Sequence, residues 1–190
     1  MIIVDGMDKT GKTTLCERLV KKYPRLHLFR LTRFEGGLNF EEHKRDYWDE
    51  FTIMKKSELK LMVRLREERH LSNLVLDRFL ASEYAYIEEE EKKDLDYIWD
   101  LDMRLACISP PCVIILLHAP KSYLLKIFDD EEAKMTLDSA DRYIARFHEY
   151  GEKTAIPQLQ LDISTYNEDE VFIVAENFLL SWVPYAMIGD

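Results

Sequence analysis

The sequence predicts an α/β domain of three layers, with a five-stranded, mainly parallel sheet between two layers of helices. Three observations predict it. Short runs of Val, Ile and Leu recur five times along the chain; the stretches between them carry apolar residues at helical spacing; and a glycine-rich turn joins the first run to the first helical stretch. Strands covered on both faces read as near-continuous apolar runs, and a βαβα alternation means a sheet of parallel strands joined by crossover helices.

The predicted strands are 2–4, 26–31, 74–76, 113–117 and 159–163. A helix over 13–22 is predicted from Leu15, Leu19 and Val20. The stretch 40–70 reads as two helices, with Ser57 capping the second. Further helices are predicted over 94–106, from Leu95, Ile98, Trp99 and Leu105, and over 138–150, from Tyr143, Ile144, Phe147 and Tyr150. The last, 168–182, carries Val171, Phe172, Ala175, Phe178 and Trp182 at the same spacing. Repeats, low-complexity linkers and Pro/Gly hinges are absent, so residues 1–190 are expected to form a single domain. The acidic run 88–91, followed by Lys92 and Lys93, is expected on an exposed helix or loop.

With 190 residues, 47% of them hydrophobic and only 12 Gly plus Pro, the chain can bury a large core and is not expected to be disordered. No apolar run approaches the ~18 residues of a membrane span, and the first residues lack a basic stretch ahead of an apolar one. A soluble cytoplasmic protein is expected. Cys16, Cys107 and Cys112 lack metal-ligand spacing and read as small buried or half-buried side chains. The net charge of −10 argues against a protein that coats nucleic acid. It is unevenly placed: residues 1–78 hold 17 basic and 13 acidic residues, and the remainder 9 and 23. The basic half suits an anionic ligand.

Directly after the first strand stands Gly6-Met7-Asp8-Lys9-Thr10-Gly11-Lys12-Thr13-Thr14. It fits G-x-x-x-x-G-K-[ST], the P-loop, and sits between a strand and a helix as that motif requires. The glycines let the backbone turn its N–H groups inward toward phosphate oxygens. The helix behind adds its N-terminal N–H groups and dipole. Lys12 is expected at the β- and γ-phosphates of ATP, and Thr13 at Mg²⁺. A GTPase would carry an Asn/Thr-Lys-x-Asp base-reading motif, which is missing, and the fourth strand ends in His118 rather than an acid. Both absences point to the small kinases.

The third strand does end in an acid, in Asp77-Arg78-Phe79-Leu80-Ala81-Ser82-Glu83-Tyr84-Ala85-Tyr86. The carboxyl end of a buried strand faces the crevice where α/β sheets bind ligands. There Asp77 can hold Mg²⁺ or accept a proton, and Arg78 can grip a phosphate.

In these two motifs the chain resembles the thymidylate kinase family, with its G-x-D-x-x-G-K-[ST]-T loop and D-R-[YF]-x-x-S-x-x-A-[YF] segment. The resemblance implies a P-loop kinase fold with ATP as phosphoryl donor and Mg²⁺ as cofactor, a nucleotide or modified-DNA acceptor, no membrane partner, and leaves a homodimer open. It implies that Asp8 contacts the acceptor's sugar and that Lys9 stabilises the transferring phosphoryl group. It places Arg33, Phe34, Arg78, Ser82 and Tyr86 around the acceptor, a short lid near 128–137, and 161–164 near the adenine. That lid carries four acids and one Lys through residue 134, which fits the branch of the family that uses the P-loop cation.

The chain departs from the family pattern in two places. Phe34-Glu35-Gly36-Gly37 stands where the family has a Pro, and the helix ahead of the third strand offers Lys55 and Lys56 where the family has an Arg. The expected activity is transfer to a thymidylate-type deoxynucleoside monophosphate. Two alternatives stay open. One is a kinase of the hydroxymethyl group of 5-hydroxymethyluracil in viral DNA, as in the family's viral branch, with Asp77, Asp8, Glu35 or Glu83 taking the proton; it would then work in a host's cytoplasm. The other is a nucleotide-binding regulator without turnover.

Overall fold

The structure, a computed structural model, describes residues 1–30, 48–69, 73–86, 95–127 and 139–182, with the backbone alone at 48–52. Five strands form one parallel sheet: β1 (Ile2–Gly6), β2 (His27–Arg30), β3 (Leu74–Asp77), β4 (Val113–His118) and β5 (Gln158–Asp162), in the order β2-β3-β1-β4-β5. Seven helices accompany them among the described residues: α1 (Lys12–Lys22), α2 (Trp48–Glu67), α3 (Leu80–Tyr86), α4 (Asp96–Ala106), α5 (Lys121–Ile127), α6 (Ala140–Lys153) and α7 (Glu168–Trp182).

Alternate residues of the central strands point to opposite faces. Ile2 and Val4 of β1 join Val75, Val113 and Ile115 in a core closed by Leu15 and Leu19 of α1 and by Val171, Phe172 and Ala175 of α7. Ile3 joins Leu76, Ile114 and Leu116 in a core on the other face, closed by α2, α3, α4 and α6. The five predicted strands and the three-layer α/β class are observed, with ends shifted by one or two residues.

Two expectations are corrected, and two helices that the sequence did not predict are seen. Ser57 caps nothing: α2 runs unbroken from Trp48 to Glu67, and the Ser57 hydroxyl donates to the Ile53 carbonyl one turn back at 2.8 Å. A mid-helix serine can bond within its own helix in this way and so mimic a boundary in the sequence. Cys107 is exposed just past the end of α4, whereas Cys16 and Cys112 are buried as expected, and all three are free. Helices α3 and α5, seven residues each, have too few turns to show a periodicity of their own. The acidic run 88–91 lies outside the described residues.

The start of α7 is fixed by Asn167. Its side-chain oxygen accepts from the N–H groups of Asp169 and Glu170, while Glu170 accepts from the Asn167 N–H, a reciprocal cap.

Between α4 and α6 lies a buried carboxylate, Asp102. It accepts from the Tyr150 hydroxyl at 2.6 Å, the Thr154 hydroxyl at 2.6 Å and the Ala155 N–H at 2.9 Å. Tyr150 stacks on Trp99 at 5.6 Å, so the polar knot and the aromatic packing share one side chain. Burial, and then the neighbouring Asp102, push the Tyr150 hydroxyl well above its ordinary pKa, so it stays a donor. Asp102→Ala removes the acceptor of all three donors and strands the Tyr150 hydroxyl in the interior. It is expected to cost about 2–4 kcal/mol, read as a lower urea midpoint with an unchanged denaturant slope.

Candidate active site

At the carboxyl end of β1 the backbone passes so close to β4 that no side chain fits. A Cβ on Gly6 would stand 2.0 Å from the Leu117 carbonyl oxygen, and Gly6 has φ 138°. The chain then turns through Lys9 at φ 58° and Gly11 at φ 80°, and α1 begins at Lys12. Thr10 ties the loop by donating to the Met7 carbonyl at 2.7 Å. Lys12 also donates to the Met7 carbonyl, and its side chain is buried. Burial, and then the nearby Arg78 cation, lower its pKa to about 8, against the pull of Asp8, Asp5 and Asp77. Lys9, Thr13 and Thr14 face solvent.

The carboxyl end of β3 meets this loop from the side. Asp77 is buried, and its Oδ2 accepts from the Thr13 hydroxyl at 2.6 Å and faces Arg30 Nε at 3.5 Å. Its Oδ1 is buried with no hydrogen-bond partner among the described residues. Arg78 takes φ 76°, its N–H donating to the Val4 carbonyl at 2.9 Å, and this turns its guanidinium back over the P-loop to pair with Asp8. The same guanidinium lies 3.5 Å from the Ser82 hydroxyl and 5.4 Å from the centre of the Tyr86 ring. The structure therefore brings together Asp8, Lys12, Thr13, Asp77, Arg78, Ser82 and Tyr86. Arg33, Phe34 and the segment 128–137 lie outside the described residues.

Two features escaped the sequence reading. Asp5 is fully buried within β1, and its carboxylate accepts from the N–H groups of Gly6, Phe79 and Ser82 and from the Ser82 hydroxyl. The signal was an acid inside an otherwise apolar strand, adjoining the first P-loop glycine. The other feature is a cleft of about 200 Å³ beside the loop, on the β5 side. Leu15 and Arg18 of α1, Tyr123, Ile163, Tyr166 and Phe172 help to line it. Arg18 is held over the Phe172 ring at 4.5 Å by contacts to the Glu168 carbonyl and to the carboxylates of Glu168 and Asp169. The P-loop and Ile163, from the segment that the family resemblance places near the adenine, border it, whereas Arg18, Tyr123, Tyr166 and Phe172 belong to no motif.

Comparison with known proteins identifies the family and the fold. The family model described as thymidylate kinase matches residues 4–165. The thymidylate kinase of Neorickettsia sennetsu is 31% identical over 132 residues, covering 61% of this chain and 64% of that protein. The chain thus spans less than two thirds of the length of this curated relative. Among solved structures, deoxyadenosine kinase from M. mycoides with bound dATP superposes with a TM-score of 0.64 at 15% identity, over 94% of this chain and 98% of that one. The thymidylate kinase of Candida albicans superposes with a TM-score of 0.63 at 15% identity, over 95% and 90%. At such identities these two share the fold. The family model covers both the phosphate loop and the Asp77–Arg78 strand end, and the chain belongs to the thymidylate kinase family.

Proposed function

We propose that this chain is an ATP-dependent kinase that transfers the γ-phosphoryl group to a deoxynucleoside monophosphate. The observation that carries the reading is the meeting of two cationic stations across one loop: Lys12 within it, and Arg78 turned back over it from β3. Relatives named thymidylate kinase and a fold neighbour named deoxyadenosine kinase support a nucleoside or nucleotide acceptor.

In this reading the cleft on the β5 side takes the nucleoside of ATP. The backbone from Gly6 to Thr14, including Met7, Thr10 and Gly11, wraps the phosphates. Lys12 neutralises charge on the β- and γ-oxygens, and Lys9 meets the charge that develops on the phosphoryl group in flight. The acceptor's phosphate is already an anion, so it needs a cation to align it more than a base to activate it. Arg78 serves it, released from or shared with Asp8, with Ser82 and Tyr86 alongside and Arg33 and Phe34 as the arm. Asp8 is then left to hold the sugar.

The donor set fits Mg²⁺: Asp77 offers a buried oxygen with no hydrogen-bond partner among the described residues, beside an oxygen that already engages Thr13. Thr13 and Asp77 would hold the ion, which when bound supplies positive charge to the phosphate oxygens.

Labelled γ-phosphate transfer from ATP to nucleosides, monophosphates and hydroxymethylated DNA tests the proposal. Transfer to a deoxynucleoside monophosphate supports it, and transfer only to the DNA overturns the acceptor. Four further outcomes are expected. Lys12→Ala lowers turnover by at least about 10²–10³-fold. Arg78→Ala raises the KM for the monophosphate by about 10–10²-fold, the loss of one charge-assisted contact, whereas the Asp77→Asn defect is partly offset by added Mg²⁺.

The fourth follows from the pKa of Lys12, lowered to about 8 by burial. Bound phosphate favours the protonated amine, so ATP binding takes up a proton once the pH exceeds that value. Affinity for ATP is therefore expected to be level below about pH 8 and to fall by up to about tenfold per unit above it. Calorimetry between pH 7 and pH 9.5 reads this limb, which Lys12→Ala should abolish.

A further inference from the structure

The carboxyl end of β2 carries a cation that belongs to neither motif. Arg30 stands in register with Asp77 on the neighbouring parallel strand, so the two side chains leave the sheet on the same face. Its Nε lies 3.5 Å from Asp77 Oδ2, the oxygen that also accepts from Thr13, and its Nη2 donates to Glu17 Oε1 at 2.9 Å. Thr13 and Glu17 are four residues apart on α1 and share one face of that helix. One guanidinium is thus shared between two carboxylates with different surroundings. The Asp77 side chain is 2% exposed and that of Glu17 is 61% exposed. Among the described residues Thr13 is the one hydrogen-bond donor to Asp77, so Arg30 supplies charge that the buried carboxylate otherwise lacks. This contact is easily given up. It is longer than the contact to Glu17, and Arg30 is half exposed, where an ion pair is worth little. A guanidinium that leaves Asp77 keeps its partner on α1.

We infer that Arg30 is a displaceable counter-ion of Asp77 that sets how tightly the site takes its divalent metal. Arg30 and Thr13 both face Oδ2, which leaves Oδ1 as the oxygen to offer. A guanidinium beside Asp77 repels a dication, and Glu17 draws that guanidinium away. Arg30 therefore weakens the hold on the metal, and Glu17, acting through Arg30, restores part of it. A site balanced in this way takes the metal together with nucleotide phosphates, whose negative charge offsets Arg30, and holds it poorly alone. The inference rests on the donor set assigned to Mg²⁺ above and concerns affinity for the metal.

The test uses Mn²⁺ as the probe. Free Mn²⁺ is read by electron paramagnetic resonance as the full chain is titrated with saturating ADP, and ADP alone is the reference, so the readout is binding without turnover. The wild-type complex is expected to bind Mn²⁺ more tightly than ADP alone does, and Asp77→Asn to lose that gain. Arg30→Met is expected to tighten Mn²⁺ binding by about 3–10-fold, the scale of one cation's repulsion at a partly exposed site. Glu17→Gln is expected to weaken it by about 2–5-fold, but by less than about 1.5-fold once Arg30 is Met, because Glu17 acts through Arg30. Both side chains are half exposed or more, so both variants are expected to keep the wild-type thermal melt, and Arg30→Gln replaces Arg30→Met if that variant unfolds. Weaker binding in Arg30→Met, the result expected of a guanidinium that braces Asp77, overturns the inference. Unchanged binding overturns it too, as does a Glu17→Gln effect that is equal with and without Arg30. In each case the metal assignment stands. If the wild-type complex binds Mn²⁺ no more tightly than ADP alone, or Asp77→Asn binds it as the wild type does, the metal assignment falls and the inference with it.

Discussion

A carboxylate without solvent exposure, that of Asp5, takes hydrogen bonds from Gly6, from Phe79 and twice from Ser82. These donors belong to the first residue of the P-loop and to the start of α3, two segments more than 70 residues apart in sequence. Buried amide groups must find acceptors, or folding forfeits their hydration. One acidic side chain inside β1 therefore fixes how the phosphate loop sits against the Asp77–Arg78 strand end. The Val4 carbonyl adds a backbone bond to Arg78 from the same strand. Every cation–carboxylate contact in the site inherits its geometry from this junction.

The site that results is internally compensated. Lys12 and Arg78 repel each other in a poorly solvated space, and Asp5, Asp8 and Asp77 offset that repulsion. Arg78 has closed onto Asp8, and Thr13 onto Asp77. These pairings hold each side chain near where an anionic ligand would meet it, so less conformational entropy is lost on binding. They also mean that a ligand must compete for the cations. A phosphate dianion can do so; a neutral hydroxyl has no charge with which to separate Arg78 from Asp8. The same balance makes the loop sensitive to the protonation state of Lys12, the buried ammonium at its centre.

The sheet was legible because its central strands β1, β3 and β4 are covered on both faces and each reads as an apolar run. Phosphate-loop chemistry was legible because it is local: nine consecutive residues carry it. Asp77, Arg78 and Ser82 were legible through a second local pattern. Asp5 was not, since patterns of hydrophobicity treat a lone acid in a strand as an interruption, whereas only the fold shows its donors arriving from α3. The cleft formed by Leu15, Arg18, Tyr123, Ile163 and Phe172 was legible only at its P-loop and 161–164 borders, and the rest was hidden for a related reason. Its residues are scattered over four segments, and each reads alone as core filler or a surface charge. Ser57 misled because a hydroxyl that caps a helix and one that bonds back within a helix look alike in one dimension.

That continuity of α2 through Ser57 matters beyond the boundary itself. Successive residues on a helix point about 100° apart, so Lys55 and Lys56 leave an unbroken α2 in different directions. Lys55 pairs with Glu83 of α3, while the Lys56 ammonium lies 4.7 Å from the centre of the Tyr97 ring of α4. Tyr97 in turn donates to Glu83, so the two lysines grip one network from two sides. The place where this chain departs from the family pattern, with lysines for an arginine, is thus anchored to α3, the helix that carries Ser82 and Glu83. An arginine there would present a planar fork suited to a carboxylate or a carbonyl pair, while a lysine presents a mobile point charge that can share itself between Glu83 and a ligand. A change of cation on α2, matched by a buried acid on α3, therefore ties these two helices together beside the phosphate loop.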